Sequence, residues 1–213
     1  MKITWLGHSM FLFEDDQGTK IVTDPYNEYI GYAPPKLSAG IITLSHHHKD
    51  HANVSAVEGS PTVIDSIGKY NIEGITIEGI QSYHDEVKGD KRGSNIIFKF
   101  NIDGITLAHM GDYGQSTLSG EQAAALKGID VLLILVGGIY TIDGVQAADI
   151  VNQLKPRIAI PMHYKTKDLT LNISTAEPFL RKMPIVKNME SIIELMTSSL
   201  PKETEVWVMR RFS

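Results

Sequence analysis

The chain carries the stretch Ser45-His46-His47-His48-Lys49-Asp50-His51, which places four imidazoles and one carboxylate within six positions. The five residues before it, Gly-Ile-Ile-Thr-Leu, predict a short β-strand. Neutral imidazole and carboxylate are common ligands of zinc and of neighbouring divalent metals. Because a strand directs alternate side chains to the same side, we expect His46 and His48 to face one ion together. Asp50 and His51 follow as candidates for a second ion.

Two alternatives stay open for this stretch. A histidine-rich tract can bind metal nonspecifically and carry no chemistry. The internal position of the stretch, the strand before it and its own aspartate favour a built site. His47 alternates away from its two neighbours, so we expect it to be a bystander or to support a ligand from outside. A helix is predicted to follow at 52–57.

Size and composition limit the classes of protein that the chain can represent. Its 213 residues, 42% of them hydrophobic, predict a single domain over 1–213 with one substantial core. A net charge of -5 argues against a nucleic-acid partner. The absence of cysteine excludes disulfides, thiolate metal sites and a cysteine nucleophile. The polar start of the chain predicts no signal peptide and no membrane span, hence a cytoplasmic protein, and a homo-oligomer is left open.

Short strands dominate the predicted secondary structure. The alternation and the β-branched content predict strands at 2–6, 10–14, 19–23, 62–64, 75–80, 95–101, 105–109, 131–136, 158–162 and 205–209. The dipeptide Asp103-Gly104 between two of these strands indicates a tight hairpin.

Helices are predicted at 119–126, 145–154, 175–182 and 189–198, and Ser119 and Gln122 resemble a capping box. Strands come first and helices then interleave with strands. This order predicts two sheets packed face to face with helices outside, an α+β fold. The segment 166–188 as a whole is the one that the pattern places least well.

Further potential ligands follow the ends of later predicted strands. They are His84, Asp112 and His163. A sheet delivers residues in such positions to a shared edge, although each of them alone also has an ordinary explanation as a surface or turn residue. Together with the four ligand candidates of the opening stretch they make seven, which is enough for two ions.

Several motifs resemble those of the metallo-β-lactamase fold superfamily. Its metal motif His-x-His-x-Asp-His corresponds to 46–51, and the chain is similar in particular to the branch of small stand-alone hydrolases that includes the L-ascorbate 6-phosphate lactonase. The residues that carry the resemblance are Leu6-Gly7-His8-Ser9, Thr23-Asp24-Pro25, Arg92-Gly93-Ser94-Asn95, His109-Met110-Gly111-Asp112-Tyr113-Gly114, Val136-Gly137-Gly138-Ile139-Tyr140-Thr141 and Pro161-Met162-His163-Tyr164.

The resemblance implies an αβ/βα four-layer sandwich, in which two mixed β-sheets are flanked by helices and carry the metals at their edges. It implies a first ligand set of His46, His48 and His84. It further implies a second ligand set of Asp50, His51 and His163, with Asp112 bridging both ions.

This site predicts a dinuclear, metal-dependent hydrolase that uses metal-bound hydroxide on a small-molecule lactone, ester or phosphorylated compound. Asp50 is the expected catalytic group, which orients the hydroxide and accepts its proton. Zinc is the expected metal, with Mn²⁺, Fe²⁺ and Ni²⁺ as alternatives. The candidates for substrate binding are His8, Arg92, Tyr164 and Lys165. A phosphodiesterase or nuclease is the alternative activity, and a scaffold that binds metal without turnover is a third interpretation.

Overall fold

The computed structural model describes residues 1–212, in which short strands outnumber helices. The strands are β1 (Lys2–Gly7), β2 (Met10–Glu14), β3 (Lys20–Thr23), β4 (Leu37–Ser38), β5 (Ile41–Thr43), β6 (Val57–Glu58), β7 (Thr62–Ile64), β8 (Gly68–Ile72), β9 (Ile75–Tyr83), β10 (Ser94–Ile102), β11 (Ile105–His109), β12 (Val131–Leu135), β13 (Ile158–Met162), β14 (Val186–Met189), β15 (Ile192–Glu194) and β16 (Glu205–Met209). The α-helices are α1 (Gly120–Ala125), α2 (Gly144–Leu154) and α3 (Glu177–Leu180).

The strands form two mixed sheets. The first has six strands in the order β15-β1-β2-β3-β5-β7, and the second has eight in the order β14-β16-β13-β12-β11-β10-β9-β8. A small parallel ladder joins β4 and β6. This arrangement agrees with the predicted sandwich of two mixed sheets.

Side-chain alternation in the six-stranded sheet separates two apolar clusters. Trp5, Phe11 and Phe13 point to the large cluster shared with the eight-stranded sheet. Met10 and Val22 point the other way, into a smaller cluster that includes loop residues. Successive residues of a strand face opposite sides, so one sheet contributes to two cores. Its outer face is therefore covered mainly by loops and 3₁₀ turns, where the prediction had placed helices.

The central strands of the second sheet are buried along their whole length. All residues of β12 and β13 are buried, as expected for parallel strands covered on both faces. Helix α2 packs on β12 and against α3. Within residues 1–212, the longest helix is α2, with 11 residues, and no helix is long and apolar enough to cross a membrane.

Most of the predicted elements are confirmed to within a few residues. The predicted strands at 10–14, 62–64, 105–109, 158–162 and 205–209 match the observed ones, and the others differ only at their ends. The hairpin at Asp103-Gly104 has positive φ angles of 51° and 76°, as a type I′ turn requires. Helix α1 begins with the predicted capping box between Ser119 and Gln122.

Two predicted helices are wrong, and both fail because the backbone finds distant partners. The segment 52–57 forms a 3₁₀ turn and then β6, because the N–H of Asn53 donates to the carbonyl of Pro25. The segment 189–198 contains β15, which pairs with the open edge of β1 and buries Ile193 while Ile192 stays exposed.

The region 166–188, which the sequence did not place, holds α3 and β14. The predicted helix at 175–182 is shortened to α3, which ends before Pro184. The predicted single domain over 1–213 extends to Ser213, which lies outside the described residues, and it stays a prediction.

The topology brings the ends of several strands to one side of the molecule. In the six-stranded sheet, β1, β3 and β5 run in the same direction. In the eight-stranded sheet, β9, β11, β12 and β13 do the same. Side chains that follow the carboxyl ends of these strands can therefore meet at the seam between the two sheets.

Candidate metal centre

The seven predicted ligands converge at this seam. In the first ligand set, one nitrogen of each of His46, His48 and His84 lies within 4.8 Å of the others. In the second ligand set, one donor atom each of Asp50, His51 and His163 likewise lies within 4.8 Å of the others. One nitrogen of His8 belongs to the same group of atoms. The sequence had placed His8 among the substrate contacts, but the structure brings it into this group.

Asp112 lies between the two ligand sets. Its Oδ2 is 3.1 Å from Nε2 of His84 and 3.8 Å from Nε2 of His46. Its Oδ1 is 3.2 Å from Nε2 of His51 and 3.3 Å from Nε2 of His163. Each carboxylate oxygen thus faces a different ligand set, which is the arrangement that a bridging carboxylate needs.

The separations are of the size that metal coordination imposes. Zinc–ligand distances of about 2.0–2.2 Å in a tetrahedron place neighbouring ligand atoms about 3.3–3.6 Å apart. Oδ2 of Asp50 lies 3.6 Å from Nε2 of His51, close to this range. The separations to Asp112 fall near it as well.

The buried polar atoms of this region lack hydrogen-bond partners. Within residues 1–212, those without a partner include both ring nitrogens of His8, Nε2 of His46 and His51, Nδ1 of His84 and His163, and Oδ1 of Asp112. Buried polar atoms are almost always hydrogen-bonded, so their concentration at one place indicates a missing ligand. The donors are nitrogen and oxygen atoms, which suit zinc and its neighbours. The residues therefore fit divalent metal ions.

A buried aspartate fixes two of the imidazoles from outside the centre. Asp24 accepts hydrogen bonds at Oδ2 from Nδ1 of His51 at 3.0 Å and from Oγ of Ser45 at 2.6 Å. Oγ of Ser45 in turn lies 2.9 Å from Nδ1 of His46. Both imidazoles are thereby held with Nδ1–H engaged and with Nε2 turned to the centre, which is the orientation that binds metal through Nε2.

Burial keeps two of the imidazoles neutral. Desolvation lowers the pKa of His46 to about 3, and neighbouring histidines act in the same direction while Asp112 and Asp24 oppose the shift. Burial likewise lowers the pKa of His8 to about 3. A neutral imidazole is the form that binds metal, so these side chains are ready to do so at neutral pH.

The backbone of Asp112 is held by an amide that comes from the neighbouring strand. Its N–H donates to Oδ1 of Asn95 at 2.8 Å, and Nδ2 of Asn95 donates to the carbonyl of Met110 at 2.9 Å. Gly111 passes directly over this amide, since a Cβ there would lie 2.4 Å from Oδ1 of Asn95 and 2.5 Å from Cβ of Ser45. The turn that presents Asp112 therefore requires glycine before it.

Three residues that follow strands at this edge have left-handed backbone conformations. The φ angles are 53° for His8, 40° for Asp24 and 52° for His163. Non-glycine residues rarely adopt positive φ, and such strain concentrates at functional sites. Close packing also fixes Gly137, where a Cβ would lie 2.2 Å from the carbonyl oxygen of His163.

The centre opens to solvent on the side of the first ligand set. His48 is exposed, and the side chain of Asp50 keeps 19% of its surface accessible. Tyr29 and Lys49 line a surface depression with these two residues. Arg92 lies beside His48 in a neighbouring depression, with its guanidinium 5.0 Å from the ring centre of Tyr140.

Two of the side chains predicted to bind substrate make other contacts within the protein. Tyr164 is buried and stacks on Trp5, with ring centres 5.4 Å apart. Nζ of Lys165 donates to the carbonyls of Leu169 and Leu171 and so pins the following loop. Contact of these side chains with substrate stays a prediction.

The two histidines without an assigned role lie outside the ligand sets. His47 is exposed and lies 3.4 Å from Oδ2 of Asp65. His109 is buried, donates from Nε2 to the carbonyl of Ser9 and accepts at Nδ1 from the N–H of Gly111. It thus ties the eight-stranded sheet to the turn after β1.

Sequence reasoning missed the residues that support the ligands. Asp24 and Ser45 each follow a strand, as the ligands do. The same search for polar residues after strand ends could therefore have found them. Asp85 accepts four backbone hydrogen bonds, from the N–H groups of Val87, Gly89, Lys91 and Arg92, and organises the loop after His84. No sequence pattern predicted this loop.

Comparison with known proteins yields consistent matches. The profile of the family described as "Beta-lactamase superfamily domain" matches residues 2–163. A UPF0173 protein of Pyrococcus furiosus is 34% identical over 184 residues, covering 78% of this chain and 84% of that protein. A UPF0173 metal-dependent hydrolase of Carboxydothermus hydrogenoformans is 31% identical over 195 residues, covering 78% and 85%. The crystal structure of a candidate Zn-dependent hydrolase of the metallo-beta-lactamase superfamily from Thermotoga maritima superposes with a TM-score of 0.82 at 38% identity, covering 98% of this chain and 97% of the other.

Proposed function

Because the chain belongs to the beta-lactamase superfamily and, within it, to the UPF0173 metal-dependent hydrolases, we propose that it hydrolyses a small molecule at a centre of two divalent metal ions. The substrate class that we propose is a lactone, an ester or a phosphorylated compound. Similarity to the branch that includes the L-ascorbate 6-phosphate lactonase belongs to this proposal.

The observation that carries the proposal is the position of Asp112. One of its oxygens lies 3.1 Å from Nε2 of His84, and the other lies 3.2 Å from Nε2 of His51. A single ion would use only one of these ligand sets and leave buried donors of the other without a partner. The donor arrangement therefore supports two ions joined by one carboxylate.

Divalent ions in such a centre supply Lewis-acid polarisation of a substrate oxygen and make hydroxide available near neutral pH. The chain's own contribution starts with Asp50, a partly exposed member of the second ligand set. Its Oδ2 lies 3.6 Å from Nε2 of His51. Its position suits a group that orients the attacking water and accepts its proton. Hydrogen bonds of the other ring nitrogen, Nδ1, with Ser45 and Asp24 keep the imidazoles of His46 and His51 from rotating.

Features of the opening support a small substrate that carries a negative charge. Arg92 lines a surface depression together with His48, and its planar guanidinium can bind a carboxylate or phosphate through two hydrogen bonds. The net charge of -5 opposes the binding of a long polyanion. A small anionic ester or lactone fits both observations.

Zinc is the metal that we propose first. Histidine and carboxylate ligands suit it, and the relative from Thermotoga maritima is described as a candidate Zn-dependent hydrolase. Mn²⁺, Fe²⁺ and Ni²⁺ accept the same ligands and are the alternatives.

The test is elemental analysis of protein purified in metal-free buffers, for the wild type and for Asp112→Ala, with hydrolysis measured on the same samples. The substrate panel contains a lactone, a neutral ester, a phosphorylated lactone and a bis-phosphodiester. We expect about two ions per chain in the wild type, with loss of metal and of hydrolysis in the variant.

His47→Ala is the matched control, because His47 is an exposed histidine of the same stretch and lies outside the ligand sets. It should keep metal content and activity. Substoichiometric metal that does not depend on Asp112 would overturn the dinuclear proposal. Turnover of the bis-phosphodiester alone would replace the small-molecule assignment with a phosphodiesterase or nuclease.

A further inference from the structure

His8 is held rigidly by its backbone. It follows β1 with a φ of 53°, and its carbonyl accepts hydrogen bonds from the N–H of His163 at 3.2 Å and from Nε1 of Trp5 at 3.1 Å. The residue is 1% exposed. The strained backbone and the two hydrogen bonds to its carbonyl therefore fix the backbone position from which the imidazole extends.

The ring itself has no hydrogen-bond partner among residues 1–212. Both Nδ1 and Nε2 are buried and unpaired. Leaving a buried donor or acceptor unsatisfied is costly, so an imidazole with two such atoms is expected to have a ligand.

The surroundings of the ring identify this use. The ring centre lies 4.2 Å from that of His163 and 5.0 Å from that of His51, and Nε2 lies 3.4 Å from Oδ2 of Asp50. Five ligand atoms at about 2.1 Å from an ion lie about 3.0–3.6 Å from their neighbours, and the separation of 3.4 Å falls within this range. A nitrogen of His8 is also within 4.8 Å of a donor atom of every member of the second ligand set.

We propose that His8 is a protein ligand of the second metal site, in addition to the second ligand set. This inference rests on the proposed dinuclear function. The second site then has five protein donors, one each from His8, Asp50, His51, His163 and Asp112. The first site has four, one each from His46, His48, His84 and Asp112.

The two sites consequently differ in their exchange with solvent. A site whose coordination is filled by protein is closed, whereas a site with fewer protein ligands keeps a position for water or substrate. His8 and His51 are buried, while His48 of the first ligand set is exposed. The second ion is thus the tightly retained one, and the first ion is the exchangeable one that faces the substrate.

The first experiment compares metal binding by the wild type, His8→Ala and the control His47→Ala. Each protein is stripped of metal and equilibrated with Co²⁺ in graded chelator buffers, while metal content and the visible Co²⁺ spectrum are recorded. The wild type should take up two ions in two affinity classes. In His8→Ala the tight class should weaken by more than about 100-fold, since loss of a direct ligand exceeds the roughly 10–100-fold effect of losing an outer partner.

The spectrum of the tight class should also change in His8→Ala and stay unchanged in His47→Ala. A tight-class ion with wild-type affinity and spectrum in His8→Ala, beside an unchanged weak-class ion, would overturn the assignment of His8 while leaving the dinuclear function intact. A wild type that binds fewer than two ions would instead overturn the proposed function.

A measurement on the wild type avoids any dependence on a variant that fails to fold. Protein labelled with ¹⁵N-histidine and loaded with ¹¹³Cd²⁺ reports scalar coupling between the metal and each ligating ring nitrogen. The chain has eight histidines. If His8 is a ligand, coupling is expected for it together with the five histidines of the two ligand sets, and not for His47 or His109. Absence of coupling at His8, with coupling at the other five, would refute the proposal.

Discussion

The carboxylate of Asp24 and the imidazole of His51 form a buried pair in which Oδ2 accepts the Nδ1–H at 3.0 Å. The same oxygen accepts the hydroxyl of Ser45, which connects it to His46. One carboxylate thus orients a histidine of each ligand set. Burial raises the pKa of Asp24, but the hydrogen bond from His51 and the neighbouring histidines outweigh it and hold the pKa below its ordinary value.

Asp24→Asn should weaken metal binding without unfolding the protein. The carboxylate accepts at Oδ1 from the N–H of Ser45 and at Oδ2 from Oγ of Ser45 and Nδ1 of His51. An asparagine can accept at only one of these two positions, so either the backbone of Ser45 or the two groups that orient the imidazoles lose their acceptor. We expect metal affinity to fall by about 10–100-fold, measured by competition with a chelator. Asp65→Asn is the control, because Asp65 approaches only the exposed His47 among the histidines. Unchanged affinity in Asp24→Asn would contradict this role.

Gly111→Ala should destabilise the fold and displace Asp112. The added Cβ would lie 2.4 Å from Oδ1 of Asn95, at a backbone φ of 58°. Overpacking costs about 1–3 kcal/mol, and the left-handed conformation adds about 1–2 kcal/mol. Thermal unfolding and metal content measure the two effects. Gly40→Ala meets no atom within 4 Å and should leave both unchanged. A Gly111→Ala protein with wild-type stability would show that the turn can relax.

Asp85→Asn should loosen the loop after His84. The carboxylate accepts the N–H groups of Val87 and Gly89 at Oδ1 and those of Lys91 and Arg92 at Oδ2. Burial opposes ionisation of Asp85, but these donors hold its pKa below the ordinary value. An asparagine amide can accept only at its oxygen, so two donors lose their partner.

Limited proteolysis measures this effect, because trypsin can cleave after Lys88, Lys91 and Arg92. We expect cleavage in Asp85→Asn to be at least about 10-fold faster than in the wild type, since each lost bond to a charged acceptor is worth about 1.5–3 kcal/mol. Asp90→Asn, an exposed change in the same loop, should behave like the wild type. Equal cleavage rates in all three proteins would contradict the role of Asp85.

Arg92→Ala should impair only substrates that carry a negative charge. For an anionic ester we expect KM to rise about 10- to 100-fold, corresponding to the loss of a hydrogen bond between charged groups. For a neutral ester, KM and kcat should stay unchanged, and so should metal content. Arg92→Lys retains the positive charge but lacks the planar guanidinium, so its KM for the anionic ester should lie between those of the wild type and Arg92→Ala. An equal loss for both substrates would mean that Arg92 acts on the fold of the opening.

Glu205→Gln should lower stability at neutral pH and leave it nearly unchanged in acid. The hydrogen bonds from Lys187 and Trp207 lower the pKa of Glu205 below the ordinary 4.5. The folded state therefore loses this proton more readily than the unfolded state. The resulting stabilisation is fully present above about pH 4.5 and disappears as the pH falls through the folded-state pKa.

The Glu205 effect is about 0.5–1 kcal/mol, because Lys187 is half exposed and solvent screens the pair. Urea unfolding of metal-stripped protein at pH 7 and pH 3.5 measures it for the wild type and the variant. Arg181→Gln, which removes a fully surface-exposed ion pair with Glu177, serves as the comparison. A difference that grows on acidification would have the wrong sign.

The strand framework and the convergence of the ligands could be predicted from the sequence because both depend on local patterns. The run at 131–136 is apolar throughout, and the hairpin at Asp103-Gly104 has the residues that a type I′ turn demands. Ligands that follow parallel strands must lie at one edge, which is why His84, Asp112 and His163 could be grouped although they are far apart in the chain.

The elements that failed depend on partners that no local pattern reveals. The residues of β15 could form a helix, but they pair with β1 across nearly the whole length of the chain. No local pattern could place His8 beside the second ligand set, because its ring reaches that set only through the contact between the turns that follow β1 and β13. Asp24 was missed because the pattern predicts only side chains that bind metal directly, whereas Asp24 holds His51 and Ser45 from outside the centre.

The ligands come from both sheets, and this has a consequence for the life of the protein in a cell. His46 and His51 lie at the edge of the six-stranded sheet, while His84 and His163 lie at the edge of the eight-stranded one. Metal ions bound between them would act as cross-links in a chain that has no cysteine for disulfides. Bound metal stabilises the folded state by mass action, so metal starvation would expose the chain to proteases. The abundance of the protein would then follow the metal supply of the cell, with no separate regulator needed.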